Sequence, residues 1–216
     1  MNKSLADQIN EMQQGMLPNI PDEVLGLLMD KTAALVASGI AGEALTVGEQ
    51  APGFSLPTIH GGALRLSDKL ADGPVVISFY RGGWCPYCNL EVRALEAVYG
   101  EIRGLGAELL AIAPELPDNG AETAAKASLS FPLLSDAGNP VARSYGLVFT
   151  LAEELRPIYA SFGFDIPASN GEESFELPMP ATYIIDRNGK IAHAFVNADY
   201  TQRMEPSEIL KILNTL

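Results

Sequence analysis

Several residue types that define common classes of protein are scarce in this sequence. Two cysteines among 216 residues are too few for the disulfide framework of a small secreted scaffold. The two histidines, His60 and His193, lie far from both cysteines along the chain, whereas a structural zinc site needs four clustered ligands. The sequence also lacks a phosphate-binding glycine-rich loop, so we expect neither a metal ion nor an organic cofactor.

Basic residues are scarce as well. Lysine and arginine total 14 against 27 aspartates and glutamates, which gives a formal net charge of −13. Proteins bind nucleic acid largely through Lys and Arg contacts to phosphate, and anionic membrane surfaces attract basic segments. We therefore expect no nucleic-acid partner and no membrane partner.

Long apolar segments are missing too. No run approaches the roughly 18 apolar residues that a membrane-spanning helix requires. Polar residues also interrupt the start of the chain, where a signal peptide would need a continuous apolar core. These absences predict a cytoplasmic location, where thiols stay reduced and a cysteine pair is more often catalytic or metal-binding than structural.

The apolar residues that are present, 47% of the chain, indicate a folded protein with a sizeable core. Residues 1–45 are predicted to form a helical extension, in which Pro21 begins a helix and Gly39 ends it. One face of this helix is apolar at helical spacing, through Leu25, Leu28, Thr32 and Leu35. We interpret this face as part of a cap on the main domain, and a contact between two copies of the chain is the alternative.

Residues 46–216 are predicted to form one α/β domain. Its first half contains two buried strands, at Val75–Phe79 and Leu109–Ile112, separated by a helix. This order predicts a parallel β-α-β unit with a right-handed crossover. The second half ends in two strands joined by an Asn-Gly turn, a strong hairpin signal, and in a helix after Pro206.

An acidic stretch interrupts this domain. Residues 148–180 hold six acidic residues against one basic residue, Arg156. Excess charge of one sign favours a solvated segment. We therefore predict an insertion here, with a mobile, solvated loop near Ala168–Glu173.

The two cysteines lie where a buried strand meets the start of a helix. A helix N-terminus collects unpaired N–H groups and the positive end of the helix dipole, which lower the pKa of a cysteine placed there. Cys85 occupies this position, and we expect it to be exposed and to act as the nucleophile. Cys88 follows three residues later on the same side of the helix, so it is predicted to be the resolving thiol. Simple core packing and zinc binding are the alternatives, and neither suits this placement.

The motif Trp84–Cys88 resembles the thioredoxin active site, and its inner Pro-Tyr dipeptide is the one found in glutaredoxins. Three further segments resemble peroxiredoxins of the alkyl hydroperoxide reductase/thiol-specific antioxidant (AhpC/TSA) family: Val47–Leu56, Phe131–Asp136 and Tyr183–Gly189. The resemblance covers residues 47–214. It implies a thioredoxin-like fold of the α/β class, with a central mixed sheet flanked by helices, to which the N-terminal helical extension is added.

The resemblance also implies roles for residues near the cysteines. The Met179-Pro180 segment resembles the stretch whose proline faces Cys-x-x-Cys in thioredoxin-like proteins. This implies a cis Pro180 and a Met179 backbone that serves as a strand-like edge for a substrate chain. A trans proline at the start of a strand is the alternative. Trp84 is expected to shield the disulfide and to offer a flat docking surface, with simple packing as its alternative.

The sequence departs from the peroxiredoxin pattern at three positions. Peroxiredoxins carry Pro-x-x-x-Thr-x-x-Cys up to the nucleophile, and here Ser78 and Gly82 replace the proline and the threonine. The family's arginine that polarises the peroxide aligns with Pro180. Two donors for the departing oxygen are therefore absent. Arg81, four residues before Cys85, is predicted to replace them, and a surface charge is its alternative role.

The resemblance implies a thiol-dependent antioxidant oxidoreductase that reduces hydrogen peroxide or organic hydroperoxides through a Cys85–Cys88 dithiol/disulfide cycle. Thioredoxin, glutaredoxin or glutathione is the implied electron donor, and a homodimer is left open. The motif alone favours the alternative, a thiol-disulfide oxidoreductase acting on protein or glutathione disulfides. A redox-inert binding domain that reuses the fold is a third hypothesis, against which the intact Cys-x-x-Cys argues.

Overall fold

The computed structural model describes residues 3–216, so Met1 and Asn2 of the predicted extension lie outside the described residues. Over this range the strands are β1 (Ser55–Pro57), β2 (Ala63–Arg65), β3 (Val75–Phe79), β4 (Glu108–Ala113), β5 (Leu133–Ser135), β6 (Val148–Thr150), β7 (Glu176–Pro178), β8 (Ala181–Ile185) and β9 (Ile191–Val196). The helices are α1 (Leu5–Met16), α2 (Asp22–Ala37), α3 (Leu66–Asp72), α4 (Pro86–Gly104), α5 (Pro117–Ala127), α6 (Pro140–Ser144), α7 (Arg156–Ser161), α8 (Ile166–Asn170) and α9 (Pro206–Leu213). None of these helices combines the length and the hydropathy needed to cross a membrane.

A five-stranded sheet in the order β5-β4-β3-β8-β9 forms the centre of the molecule. β3 pairs in parallel with β4, and β4 with β5, because the helices α4 and α5 return the chain to the same end of the sheet. β8 runs antiparallel to both β3 and β9, and the Asn188-Gly189 turn that joins β8 to β9 contains Gly189 at a φ of 79°. The predicted mixed sheet with flanking helices is therefore confirmed.

The central strands are buried on both faces, as their nearly continuous apolar sequences require. Along β3, Val75, Ile77 and Phe79 point into one apolar layer, and Val76 points into the other. In the first layer, the ring of Tyr145 packs between those of Phe79 and Tyr183, with centroids 5.0 and 5.1 Å away. The second layer lies under α4 and contains both cysteines.

Helix α1 is part of this second layer rather than a detached arm. Leu5 and Ile9 are buried in the same apolar cluster as Cys88. The Glu205 carboxylate, just before α9, accepts hydrogen bonds from the N–H groups of Leu5 at 3.0 Å and Ala6 at 2.7 Å. A carboxylate at this end satisfies free N–H groups and complements the helix dipole.

Helix α2 packs more loosely. It begins after Pro21 as predicted, and Leu27, Leu28 and Leu35 contact the first apolar layer, which agrees with a cap. None of its residues is fully buried, and Met29 and Val36 are exposed. The division of the chain at residue 45 stays a prediction, since α1 and α2 both pack against the sheet domain.

The solvated loop predicted near Ala168–Glu173 is wrong in its first half, where the chain forms α8. The Asp165 side chain accepts a hydrogen bond from the Ala168 N–H at 3.0 Å, which caps this short helix. The Leu116 N–H donates to the Ser169 carbonyl at 2.9 Å, and Asn170 is buried. Capping and contact with the loop before α5 outweigh the local excess of acidic residues.

We predict that Leu5→Ala destabilises the protein by about 2–5 kcal/mol, because it leaves a cavity in a packed apolar layer. Val36→Ala on α2 is the control, since this side chain is 47% exposed and its loss should change stability by no more than about 0.5 kcal/mol. Urea unfolding of the reduced protein measures both changes. Equal, small effects of the two substitutions would show that α1 does not belong to the core.

Candidate active site

The loop between β3 and α4 carries the two cysteines to the N-terminus of a long helix. Cys85 is the capping residue of α4, and Pro86 occupies the first helical position, where no N–H is needed. The Asn89 N–H donates to the Cys85 carbonyl at 3.0 Å, and the Asn89 side chain donates to the Gly83 carbonyl at 2.8 Å. These bonds fix the loop, so Cys85 faces the positive end of the helix dipole as the sequence predicted.

The expectation that Cys85 is exposed is wrong. Both Cys85 and Cys88 are free thiols with 0% of their surface exposed. Arg81, Tyr159 and Tyr200 cover the site, and the two tyrosines come from segments far from the cysteine motif. A reactant therefore reaches the sulfurs only if these covering side chains move.

Arg81 contacts the thiol directly, so its interpretation as a surface charge is wrong. It is 2% exposed, and its Nη2 lies 3.1 Å from Cys85 Sγ. Its Nη1 donates to the Tyr159 hydroxyl at 3.2 Å. The guanidinium lies over the ring of Tyr200 at 4.0 Å and over that of Trp84 at 5.1 Å, which holds its charge in a cation–π arrangement.

These contacts favour the thiolate of Cys85. Burial raises the pKa of Cys85, but the hydrogen bond from Cys88 and the charges of Arg81 and Arg203 oppose burial and hold that pKa well below its ordinary value. Burial and the neighbouring Cys85 raise the pKa of Cys88 well above its ordinary value. One sulfur is thus prepared for attack, and the other keeps its proton and donates a hydrogen bond.

An ion pair that the sequence did not reveal lies behind the cysteines. Arg203 Nε lies 2.6 Å from Glu91 Oε2, and both side chains are 2% exposed. Arg203 Nη2 also lies 3.5 Å from Cys88 Sγ. Glu91 shares a face of α4 with Cys88 at i, i+3 spacing, a signal that could have been noticed, but no local pattern marks Arg203.

A second buried acid, Glu115, supports the loop before Cys85. Its carboxylate accepts hydrogen bonds from the Gly83 N–H at 2.8 Å and from the Tyr80 hydroxyl at 3.1 Å. Burial raises the pKa of Glu115, against the lowering effect of these bonds. Glu115 follows β4, so it reaches the motif because β4 is the neighbour of β3.

Trp84 is half-buried. Its ring packs edge-on against that of Tyr159, with centroids 5.8 Å apart, and at a tilt against that of Phe164, with centroids 5.5 Å apart. On its other side, Trp84 lines an open cleft of about 460 Å³ together with Phe162 and Phe164. The two sulfurs do not line this cleft. Trp84 therefore contacts both the cleft and Tyr159, one of the residues that cover the thiols, and its shielding role stays a prediction.

The expectations for Met179 and Pro180 do not agree with the structure. All peptide bonds among residues 3–216 are trans, including that of Pro180. The Met179 N–H donates to the Leu147 carbonyl at 2.8 Å, and both Met179 and Pro180 are buried. The antiparallel pairing of β6 with β7 thus continues through the Met179 N–H, the backbone group that was expected to bind a substrate chain.

The described residues contain no cluster of three or more His, Cys, Asp or Glu side chains placed to hold a metal ion. His60 is exposed. His193 lies on β9, which is the edge strand at the opposite end of the central sheet from β5. The charged groups described around the two thiols are two arginines, Arg81 and Arg203, and two buried carboxylates, Glu91 and Glu115.

Comparison with known proteins agrees with this chemistry. The AhpC/TSA family model matches residues 47–194. A putative chloroplastic peroxiredoxin Q of rice (Oryza sativa subsp. indica) is 31% identical over 169 residues, which cover 78% of this chain and 67% of the rice protein. The thiol-disulfide oxidoreductase ResA of Bacillus cereus is 22% identical over 76% of this chain and 77% of its own length. Among solved structures, peroxidoxin BcpB of Mycobacterium tuberculosis matches with a TM-score of 0.63 and 24% identity, over 80% of this chain and 98% of BcpB.

The prediction of a cytoplasmic location is wrong on this comparison. Peroxiredoxin Q relatives that are 31% and 29% identical to this chain are chloroplastic proteins. The absence of an apolar signal segment therefore did not identify the compartment.

The family match spans more than half of the chain, and the peroxiredoxin structures share its mixed sheet with flanking helices. The chain belongs to the AhpC/TSA family, and it is a thiol-dependent peroxidase with a thioredoxin-like fold.

Proposed function

We propose that Cys85 is the residue that reduces the peroxide. The Cys85 thiolate attacks one peroxide oxygen, the O–O bond breaks, and the products are a Cys85 sulfenic acid and an alkoxide or hydroxide that takes up a proton. The observation that carries this assignment is the 3.1 Å contact between Arg81 Nη2 and Cys85 Sγ in a fully buried site. The same guanidinium would stabilise the departing oxygen, in place of the donors missing at Gly82 and Pro180.

Cys88 would complete the oxidation. Its thiol attacks the sulfur of the Cys85 sulfenic acid, a disulfide forms between residues 85 and 88, and water leaves. The i, i+3 spacing of the two cysteines at the start of α4 supports this step, because it puts both side chains on the same side of the helix. An external dithiol or monothiol then returns the pair to the reduced state. Thioredoxin, glutaredoxin and glutathione are the candidates for this donor.

Burial favours peroxide over a protein disulfide as the oxidant. A hydrogen peroxide molecule or the –OOH end of an organic hydroperoxide is small, so it can reach Cys85 once Tyr159 or Tyr200 moves aside. A protein disulfide must bring a bulky sulfur to a thiol that has 0% of its surface exposed.

We propose Arg81 and Trp84 as the residues nearest the incoming substrate. We also propose a homodimer as the oligomeric state.

Exchange with protein disulfides is the second candidate function. Two thiols at a helix N-terminus are chemically able to perform it, and ResA has this activity in its name. The rate at which hydrogen peroxide consumes the reduced protein separates the two functions. A rate no faster than that of an ordinary thiol, together with rapid reduction of insulin, would favour exchange.

Substitution of each cysteine tests their roles. We expect Cys85→Ser to abolish peroxide consumption, because no thiolate remains beside Arg81. Cys88→Ser should still consume one equivalent of peroxide and leave a sulfenic acid at residue 85, which dimedone labelling and mass spectrometry detect. A dimedone adduct on Cys88 in the Cys85→Ser protein would reverse the two roles.

A second pair of variants tests the cause of the lowered pKa of Cys85. Cys88→Ser keeps a hydroxyl that can donate to the Cys85 thiolate, whereas Cys88→Ala removes the donor. We expect the pKa of Cys85 to be higher in Cys88→Ala, so that its peroxide reactivity is lost at a higher pH as the solution is acidified. The second-order rate constant with hydrogen peroxide, measured from pH 4 to about 9, reports this difference. Identical pH profiles would show that the hydrogen bond from residue 88 does not control the pKa.

A further inference from the structure

Each of the two buried arginines beside the cysteines has a negative partner only while Cys85 is a thiolate. Arg81 and Arg203 are positively charged, and each side chain is only 2% exposed. Glu91 supplies one negative charge through its 2.6 Å contact with Arg203. The Cys85 thiolate, 3.1 Å from Arg81, supplies the other.

Disulfide formation removes one of these negative charges. The remaining contacts of Arg81 are then the Tyr159 hydroxyl and the rings of Tyr200 and Trp84, all of which are neutral. None of the ion pairs among residues 3–216 joins a carboxylate to Arg81. Its Nε is also buried without a hydrogen-bond partner. An unpaired buried cation is costly, so the oxidised site is less stable than the reduced one.

The other titratable groups nearby do not cancel this difference. Glu115 is bonded to the Gly83 N–H and the Tyr80 hydroxyl, and these partners are the same in both redox states. Burial raises the pKa of Tyr80 and of Tyr200 above the ordinary phenol value, so both stay neutral in both states at neutral pH. The change on oxidation therefore remains one buried negative charge.

We propose that this charge balance makes the Cys85–Cys88 disulfide easy to reduce, so that a monothiol of the glutathione type is a sufficient electron donor. The proposal rests on the proposed dithiol/disulfide cycle and names its reductant class. Two thiols reduce the bond in two exchanges: one becomes joined to a protein sulfur, and the second releases it as the external disulfide. The protein regains the Cys85 thiolate and the Cys88 thiol, with one proton released to solvent. Stabilisation of the reduced form by a neighbouring positive charge is what makes a disulfide oxidising.

The anionic character of such a reductant fits the oxidised site. A peptide thiol with two carboxylates, such as glutathione, approaches a site in which Arg81 has lost the negative partner that Cys85 supplies in the reduced protein. This attraction acts only in the state that needs reduction, because the thiolate of Cys85 cancels it in the reduced protein.

The experiment is equilibration of the protein in mixtures of reduced and oxidised glutathione. Trp84, the single tryptophan, adjoins Cys85 and reports the redox state by its fluorescence, and thiol alkylation with mass spectrometry checks it. Wild type should be largely reduced in an excess of reduced glutathione. Arg81→Met should favour the disulfide at least tenfold more than wild type, which corresponds to about 30 mV for a two-electron couple. Arg81→Lys, which keeps the charge, should lie closer to wild type than Arg81→Met does.

Arg93→Met is the matched control, because it removes the same charge from an exposed position on α4. Its equilibrium constant should stay within about twofold of wild type, since exposed charges are screened by water and salt. An unchanged constant in Arg81→Met, or a change of equal size in Arg93→Met, would overturn the proposal.

A second measurement needs no variant. The reduced wild-type protein should unfold at a higher urea concentration than its disulfide form, because reduction restores the partner of Arg81. A disulfide form that is the more stable of the two would overturn the proposal while leaving the peroxidase cycle intact. Failure to form any Cys85–Cys88 disulfide with peroxide would instead overturn the cycle, and the proposal with it.

Discussion

The buried contact between Arg81 and Cys85 is the interaction on which the rest of the site depends. A guanidinium and a thiolate are each unfavourable in a dry interior, and each becomes acceptable only through the other. The loop that carries them must therefore be held closely, and Gly83 shows how closely. A Cβ at this residue would lie 1.9 Å from Thr123 Oγ1, so the loop rests directly against α5. The tight packing of the β3–α4 loop is a requirement of the charge pair.

Arg81 compensates for the two hydrogen-bond donors that the peroxiredoxin pattern has and this chain lacks. Gly82 and Pro180 stand where the family places hydrogen-bond donors, and both positions lack a side-chain donor. Arg81 lies next to the first of them and directs its guanidinium at the sulfur. The site therefore keeps a positive group beside the thiolate while taking it from a neighbouring position in the chain. Family membership and an altered set of donors are compatible here for that reason.

Sequence alone was sufficient where the signals were local. The apolar run Val75–Phe79, the Asn-Gly turn after β8 and the cysteines at a helix start all act within a few residues, and the structure has them where they were predicted. Arg203 could not be found in this way, because it lies 112 residues from Glu91 and no local pattern marks it. Only the folded sheet brings such residues together.

The errors of the sequence analysis also have a physical origin. Residues 148–180 were interpreted from their charge alone, although Tyr159 and Phe164 in the same stretch are aromatic. The acidic side chains point outward while these two rings cover Trp84, so one segment is solvated on one side and buried on the other. Cys85 was expected to be exposed for a similar reason: Tyr159 and Tyr200, which cover it together with Arg81, come from parts of the chain that local patterns do not connect with it.

The bond from Glu205 to the start of α1 joins the two ends of the described chain beside the redox site. Glu205 lies two residues after Arg203, so the helix that opens the protein also anchors the stretch that carries this arginine. Shortened forms of the protein that begin after α1 would lose this anchor.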